Sequence, residues 1–247
     1  KQWPATQSAL GGAPDFYLVH SVTPESPALS DPAVLARLRE VADAGTRVGL
    51  STSGPHQADT IRTALTLPSS PFTAVQTTWN ILERSAQGSL AVAAENGWMV
   101  IVKEAMANGR LAPGGTPEAD RLAPTGGITS DALAIGAALA QDWAHIVLSG
   151  AVTVAQLTSN TQARALHVDP DEFDHLSIPA DRYWAERAER EWRVIVKTCG
   201  SACHATFCWR PDSSGRSTSL PRSKVAPART RATRCGALTA RQRRCAD

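Results

Sequence analysis

Short apolar runs alternate with helix-period segments over the first 198 residues of the chain. Five of these runs predict buried strands, at positions 16–20, 48–50, 74–77, 98–102 and 145–148. Continuous apolar strands that are each followed by a helix are typical of a parallel sheet covered by helices. The pattern therefore predicts five strand–helix units in succession.

The segments between the strands carry helix signals. Asp31 before Pro32 predicts a capped helix start, and Leu35, Leu38 and Val41 then recur at a spacing of three. Gly45 is placed to end this helix. The remaining helices are predicted at 55–65, 85–96, 131–143, 153–165 and 180–193, with a long loop at 111–127.

Two architectures fit five strand–helix units, a doubly wound sheet and a TIM-type barrel. No predicted strand is followed by a GxGxxG glycine fingerprint. Polar residues also follow several different strands, whereas an open sheet concentrates its ligand contacts at one switch point. We therefore predict an α/β fold of the TIM-type (β/α)8-barrel class.

Charge and cysteine content divide the chain near residue 198. Residues 199–247 carry nine Arg and one Lys against two Asp, a net charge of +8, and all five cysteines. Residues 1–198 carry 15 basic and 21 acidic residues, a net charge of −6. This acidic, cysteine-free body has no basic patch for nucleic acid and no disulfide framework, and it contains no apolar run long enough for a membrane span. We predict a cytoplasmic domain over 1–198.

The segment 199–247 has three interpretations. Cys199, Cys203, His204 and Cys208 lie close together, but they lack the paired spacing of structural zinc sites, so no metal site is predicted. An Arg-, Ser- and Pro-rich composition without apolar periodicity favours a disordered tail. The abrupt change in composition near 194–199 also fits a lost reading frame.

Five phrases place polar residues at the ends of predicted strands or in the loops that follow. They are 15–20 (Asp-Phe-Tyr-Leu-Val-His), 48–51 (Val-Gly-Leu-Ser), Val75-Gln76 with Asn80, 108–111 (Asn-Gly-Arg-Leu), and Ser149-Gly150 through Gln156 to Asn160. In this order and spacing they resemble the aldo/keto reductases, a family of NADPH-dependent (β/α)8-barrel oxidoreductases. The resemblance covers roughly residues 7–165. It implies a barrel truncated to about strands four to eight.

The resemblance also implies roles for individual residues. His20 matches the family's catalytic histidine, which helps to orient the substrate carbonyl, whereas the family's Asp, Tyr and Lys belong to earlier strands and have no match. Ser51 and Gln76 match positions that hold the nicotinamide carboxamide, to which a hydroxyl and an amide can both donate and accept. The other implied cofactor-binding residues are Thr52, Lys103, Met106, Asn108, Gly109, Gly150, Gln156 and Asn160.

The chain departs from the family pattern at four positions. Thr52 stands where Asn is frequent, and Lys103 where an aromatic residue or Arg contacts the nicotinamide ring. Neither a basic residue near Val152 nor an acidic one near Ser159 is present, so NADH is possible as well as NADPH.

Plainer interpretations stay open for several of these residues. Gln76 and Asn80 could be strand caps, and Lys103 and Glu104 a surface ion pair. The charges at 186–190 could be a solvated helix face.

The resulting prediction is an NAD(P)H-dependent oxidoreductase that reduces aldehydes or ketones to alcohols and is impaired in this chain, because the proton donor has no match. The main alternative is a non-catalytic remnant or a cofactor-binding pseudoenzyme fragment. A different barrel enzyme with a similar second half is a third hypothesis. Two open sheet edges also predict possible self-association.

Overall fold

Five parallel strands pair in the order in which they occur along the chain. They are β1 (Phe16–Val22), β2 (Arg47–Thr52), β3 (Phe72–Thr78), β4 (Met99–Lys103) and β5 (Ile146–Val147). Each pairs in parallel with the next, so every connection is a crossover of the strand–helix–strand kind. This sequential order is that of the wall of a (β/α)8-type barrel and confirms the five predicted strands.

The computed structural model describes residues 2–122 and 127–190, without the side chains of Gln2 and Glu118. The predicted boundary at 198 and the segment beyond it lie outside the described residues. The helices are α1 (Gln2–Leu10), α2 (Pro27–Ser30), α3 (Pro32–Asp43), α4 (Gln57–Thr66), α5 (Gln87–Glu95), α6 (Pro117–Leu122), α7 (Ser130–Leu139), α8 (Val154–Thr161) and α9 (Ala180–Glu189). Short 3₁₀ turns lie at Ala107–Gly109, Gln162–Ala165 and Pro170–Leu176. None of the helices in these ranges combines the length and the apolar character that crossing a bilayer requires.

Helix α3 forms where its sequence signals predict it. The Asp31 carboxylate accepts from the backbone N–H of Ala33 at 2.8 Å and of Val34 at 3.3 Å, which satisfies two free donors of the first turn. Its apolar stripe is buried against the sheet, as expected from the spacing of three. The predicted start, face and end of this helix are confirmed.

The structure differs from the predictions at three further places. Helix α6 lies inside the predicted loop 111–127, so that prediction was wrong. Its start carries a helix signal in the sequence, because Thr116 precedes Pro117, and the Thr116 hydroxyl accepts from Ala119 N–H at 3.1 Å. Helix α7 ends at Leu139 instead of residue 143. Helix α1 was not predicted; its Trp3 packs edge-on against Tyr17 at 5.3 Å.

The two faces of the sheet have different neighbours. Val48, Leu50 and Val75 are fully buried against the helices. Because side chains alternate along a strand, the residues between them point to the opposite side of the sheet, which we call the open face. Leu18, Gly49 and Ala74 lie on this face. A Cβ on Gly49 would come within 2.6 Å of both Leu18 Cδ2 and the Ala74 carbonyl oxygen. The strands therefore approach closely at Gly49, one pleat below Ser51.

Candidate functional site

Three side chains meet at the carboxyl ends of β2, β3 and β4, and we call them the strand-end cluster: Ser51, Gln76 and Lys103. The Ser51 hydroxyl donates to Gln76 Oε1 at 2.9 Å. The Lys103 ammonium donates to Ser51 Oγ at 3.0 Å and to the Thr52 carbonyl at 2.7 Å. The structure thus joins three of the predicted cofactor-binding residues in one chain of hydrogen bonds.

Strand register explains why this cluster forms. Ser51 and Gln76 are direct partners across β2 and β3, and both follow a residue buried against the helices, so both lie on the open face. Lys103 is the last residue of β4, one pleat beyond the partner of Gln76, and its long side chain reaches back to Ser51. Parallel strands bring their carboxyl ends to one edge, where barrel folds place their ligand sites.

The electrostatics of the cluster are dominated by Lys103. Partial burial lowers the pKa of this ammonium; neighbouring Glu104 opposes that shift and Arg187 adds to it. Its two acceptors are a neutral hydroxyl and a neutral carbonyl. Among residues 2–122 and 127–190, no carboxylate forms an ion pair with Lys103.

His20 lies near this cluster without a hydrogen bond to it. The pairing of β1 with β2 slips between Val19 and Val22, so that His20 and Ser21 both lie opposite Ser51. The His20 side chain is exposed, and its Nδ1 lies 2.9 Å from Ser21 Oγ. Ser21 has a φ of 52°, in the left-handed region. Because Val19 packs on the helix side, His20 is placed on the open face.

Thr52 belongs to a buried polar network behind the cluster. Its hydroxyl donates to Gln57 Oε1 at 3.2 Å and lies 2.9 Å from Thr77 Oγ1, on the helix side of the sheet. Gln57 in turn donates to the Thr78 carbonyl at 2.9 Å and lies 3.5 Å from a carboxylate oxygen of Glu83. The Thr52 side chain is therefore bonded within the core, and Thr52 contributes only its backbone carbonyl to the strand-end cluster.

Glu83 closes this network, and sequence reasoning missed it. The residue is fully buried, and burial raises the pKa of its carboxyl, although hydrogen bonds from Ser85 and Gln57 partly oppose the shift. One carboxyl oxygen accepts from the Ser85 backbone N–H at 3.0 Å, and the other has no partner among the described residues. Nothing in the sequence pattern distinguishes Glu83 from a surface charge.

Asn80 is a structural cap. It is fully buried; its Oδ1 accepts from the N–H groups of Leu82 and Glu83 at 3.0 Å, and its Nδ2 donates to the Glu104 carbonyl and the Tyr183 hydroxyl at 3.0 and 3.1 Å. These bonds join the end of β3 to helix α9. Burial raises the pKa of Tyr183 far above its ordinary range.

Two expectations about surface charges were wrong. Glu104 does not pair with Lys103; its carboxylate forms a two-pronged ion pair with Arg187 of α9, at 3.0 and 2.5 Å. The α9 charges are not simply a solvated face, because Arg187 is 22% exposed and Glu186 pairs with Arg110 at 3.0 Å. Charge spacing along α9 does not show these partners, which lie about 80 residues earlier.

The loop after β4 contains Met106, Asn108 and Gly109. Met106 packs against the main core, and the exposed Asn108 donates to the Glu104 carboxylate at 3.2 Å. Asn108 and Gly109 have φ values of 55° and 86°, so the loop turns through left-handed conformations. Its N–H groups at Ala107 and Gly109 are already bonded within the loop.

The predicted phosphate region around α8 is bonded mainly to itself. Gln156 Oε1 accepts from the N–H groups of Val152 and Thr153, and Thr153 Oγ1 accepts from Gln156 N–H at 3.2 Å, a complete capping box. Asn160 is 4% exposed, and its Nδ2 donates to the Ser149 carbonyl at 3.2 Å. Exposed Gly150 has a φ of 64°. Gln156 and Asn160 thus stabilise this segment, and no hydrogen bond joins them to the strand-end cluster.

Comparison with known proteins identifies a family. The model of the aldo/keto reductase family matches residues 9–178, more than two thirds of the chain. No curated protein matches the sequence.

Solved structures share the fold at low sequence identity. Aldo-keto reductase AKR11C1 from Bacillus halodurans, in its holo form, superposes with a TM-score of 0.54 at 18% identity, over 75% of this chain and 65% of that one. Aldose reductase from Giardia lamblia gives a TM-score of 0.54 at 14% identity, over 75% and 66%. The chain therefore spans slightly less than two thirds of the length of these structures.

Proposed function

The chain belongs to the aldo/keto reductase family, and we propose that it acts in the NAD(P)H-dependent reduction of aldehydes or ketones to alcohols. The observation that carries this proposal is the bonded pair Ser51 and Gln76 on the open face of adjacent strands. A hydroxyl and an amide side by side are suited to an amide ligand such as the nicotinamide carboxamide. His20 on the same face supports the proposal, since the family places its carbonyl-orienting histidine there.

The residues present fit one end of the cofactor better than the other. At the nicotinamide end, Gln76 Nε2 donates to no described residue, which leaves it free to bind a carboxamide oxygen. When bound, the reduced nicotinamide supplies the hydride. At the phosphate end, Gln156 and Asn160 are already bonded, and Val152 stands where a cation would select the 2′-phosphate. We therefore propose that NADPH and NADH are both accepted with little preference.

The described residues hold no tyrosine suited to protonate a substrate oxygen on the open face. Tyr17 packs with Trp3 on the helix side, and Tyr183 is buried with a raised pKa. Loss of a general acid typically costs about 10²–10⁴-fold in rate. We propose that the described domain, corresponding to about strands four to eight of the barrel, binds the cofactor but turns over slowly.

Cofactor binding is the direct test. Titrating the full chain with NADPH and NADH, followed by ligand fluorescence or calorimetry, is expected to give micromolar affinity for both. Gln76→Ala removes the free amide and should weaken binding about tenfold, whereas Gln87→Ala, in helix α5, should not. The absence of saturable binding to either nucleotide would contradict the proposal and favour a non-catalytic remnant.

Self-association is a separate part of the proposal. Strands β1 and β5 end the described sheet, and an unpaired strand edge is a template for another chain. We propose that the chain dimerises through one of these edges in the cytoplasm. Sedimentation velocity at several concentrations should show a concentration-dependent dimer, and a monomer at all concentrations would contradict it.

A further inference from the structure

Lys103 is a partly buried cation that lacks a counter-ion among the described residues. Its bonded partners are the Ser51 hydroxyl and the Thr52 carbonyl, both neutral. The nearest carboxylate along the chain, that of Glu104, is occupied by Arg187 and Asn108. Glu104 favours the charged form of Lys103 without bonding to it, and a partly buried ammonium without a bonded counter-ion would be stabilised further by a bound anion.

The donors around Lys103 are arranged for an acceptor. The ammonium has three N–H groups, of which two are used, and the Gln76 amide has an accessible nitrogen that donates to no described residue. The Ser51 hydroxyl donates its one proton to Gln76, so it has none left to donate to a ligand. The groups of the cluster that remain free to bind a ligand are therefore mainly N–H donors around a positive charge.

From this geometry we infer that Lys103 and Gln76, held by Ser51, form a binding site for an oxyanion. The ligand group is a carboxylate or a phosphate, because either presents several acceptor oxygens and the missing negative charge. A neutral carbonyl would accept the same hydrogen bonds but would leave Lys103 without a counter-ion. This oxyanion would use the same Gln76 amide that is proposed to bind the nicotinamide carboxamide, so the two ligands would compete for it.

Calorimetric titration of the full chain, without nucleotide and at constant ionic strength, tests this site. The two probes are oxalate, for a carboxylate source, and inorganic pyrophosphate, for a phosphate source. We expect saturable binding of at least one. Binding of oxalate alone assigns the site to organic acids, binding of pyrophosphate alone assigns it to phosphates, and binding of both supports a general oxyanion site.

Variants then locate the binding. Lys103→Met should raise the dissociation constant at least tenfold, whereas Arg37→Met, which removes an equal charge from an exposed ion pair with Glu40, should change it less than twofold. Gln76→Glu places a carboxylate beside Lys103 and should abolish binding while raising the melting temperature, so the test survives if Lys103→Met fails to fold. Binding of neither probe, or equal binding by wild type and both cluster variants, would overturn the inference.

Discussion

The two halves of the predicted cofactor groove are built differently. At the ends of β2 to β4, Ser51, Gln76 and Lys103 bond to one another across three strands. At β5 and α8, Gln156 bonds to Val152 and Thr153, residues of its own segment. Residues of the same predicted class therefore form a shared site where paired strands position them, and they form local caps where they lie at the start of a helix.

The difference has a physical cause. Parallel pairing fixes the height of each side chain relative to the neighbouring strand, so polar residues at strand ends meet by register. A helix start instead leaves unsatisfied N–H groups, and a nearby hydroxyl or amide bonds to them first. We therefore expect the strand-end half to depend on distant contacts and the α8 half on local ones.

The largest expected effect comes from Glu104, which anchors the strand-end half to α9. Glu104→Ala leaves the mostly buried Arg187 guanidinium without its carboxylate and should cost about 3 kcal/mol of unfolding free energy. Glu40→Ala breaks the exposed pair with Arg37 and should cost less than about 1 kcal/mol. Urea denaturation measures both. Equal losses would mean that α9 does not stabilise this half.

Gly49 tests whether the close approach of strands holds the cluster. Gly49→Ala brings a methyl within 2.6 Å of Leu18 and of the Ala74 carbonyl, and should cost about 1–3 kcal/mol. Gly88→Ala is the matched control, because a methyl there meets nothing within 4 Å and Ala favours helix α5. The pair is compared by thermal unfolding. A neutral Gly49→Ala would show that the strands can separate below Ser51 without cost.

The strand half of this picture could be predicted from the sequence. Apolar runs locate β1 to β4, and polar residues at their carboxyl ends point to Ser51 and Gln76 because all parallel strands end at one edge. Lys103 was identified by resemblance, but its bond to Ser51 depends on register, which a single strand does not reveal.

Other contacts could not be predicted, for definite reasons. Glu104 and Arg187 lie 83 residues apart, and each has nearer charges in sequence. Glu83 is buried by the packing of α4 and β3 around it, whereas its sequence neighbours Arg84 and Ser85 indicate a surface turn. Gln156 was interpreted as a ligand although the Thr153–Gln156 spacing is itself a capping-box signal.

Glu83 allows a pH test of the network behind the cluster. Its carboxyl has a pKa raised above 4.5 in the folded state, so the folded protein holds this proton more tightly than the unfolded chain does. Stability from this group is therefore greatest at low pH and is lost as pH rises from 4.5 through the folded pKa. The unfolding free energy of Glu83→Gln, measured relative to that of wild type, should therefore rise by about 1 kcal/mol between pH 4 and pH 8. Urea denaturation at both pH values measures this; a constant difference would mean that Glu83 does not titrate with folding.

The smallest effect is expected in the α8 half. Thr153→Ala removes the hydroxyl that accepts from Gln156 N–H and should cost about 1 kcal/mol or less, while Thr153→Ser keeps the cap and should be neutral. Since the capping box is local, the loss should appear as faster hydrogen exchange in Val154–Thr161 with little change in the protection of β2 and β3. If exchange instead rises equally in β2 and β3, the two halves unfold together, and the contrast between a register-built half and a locally capped half is wrong.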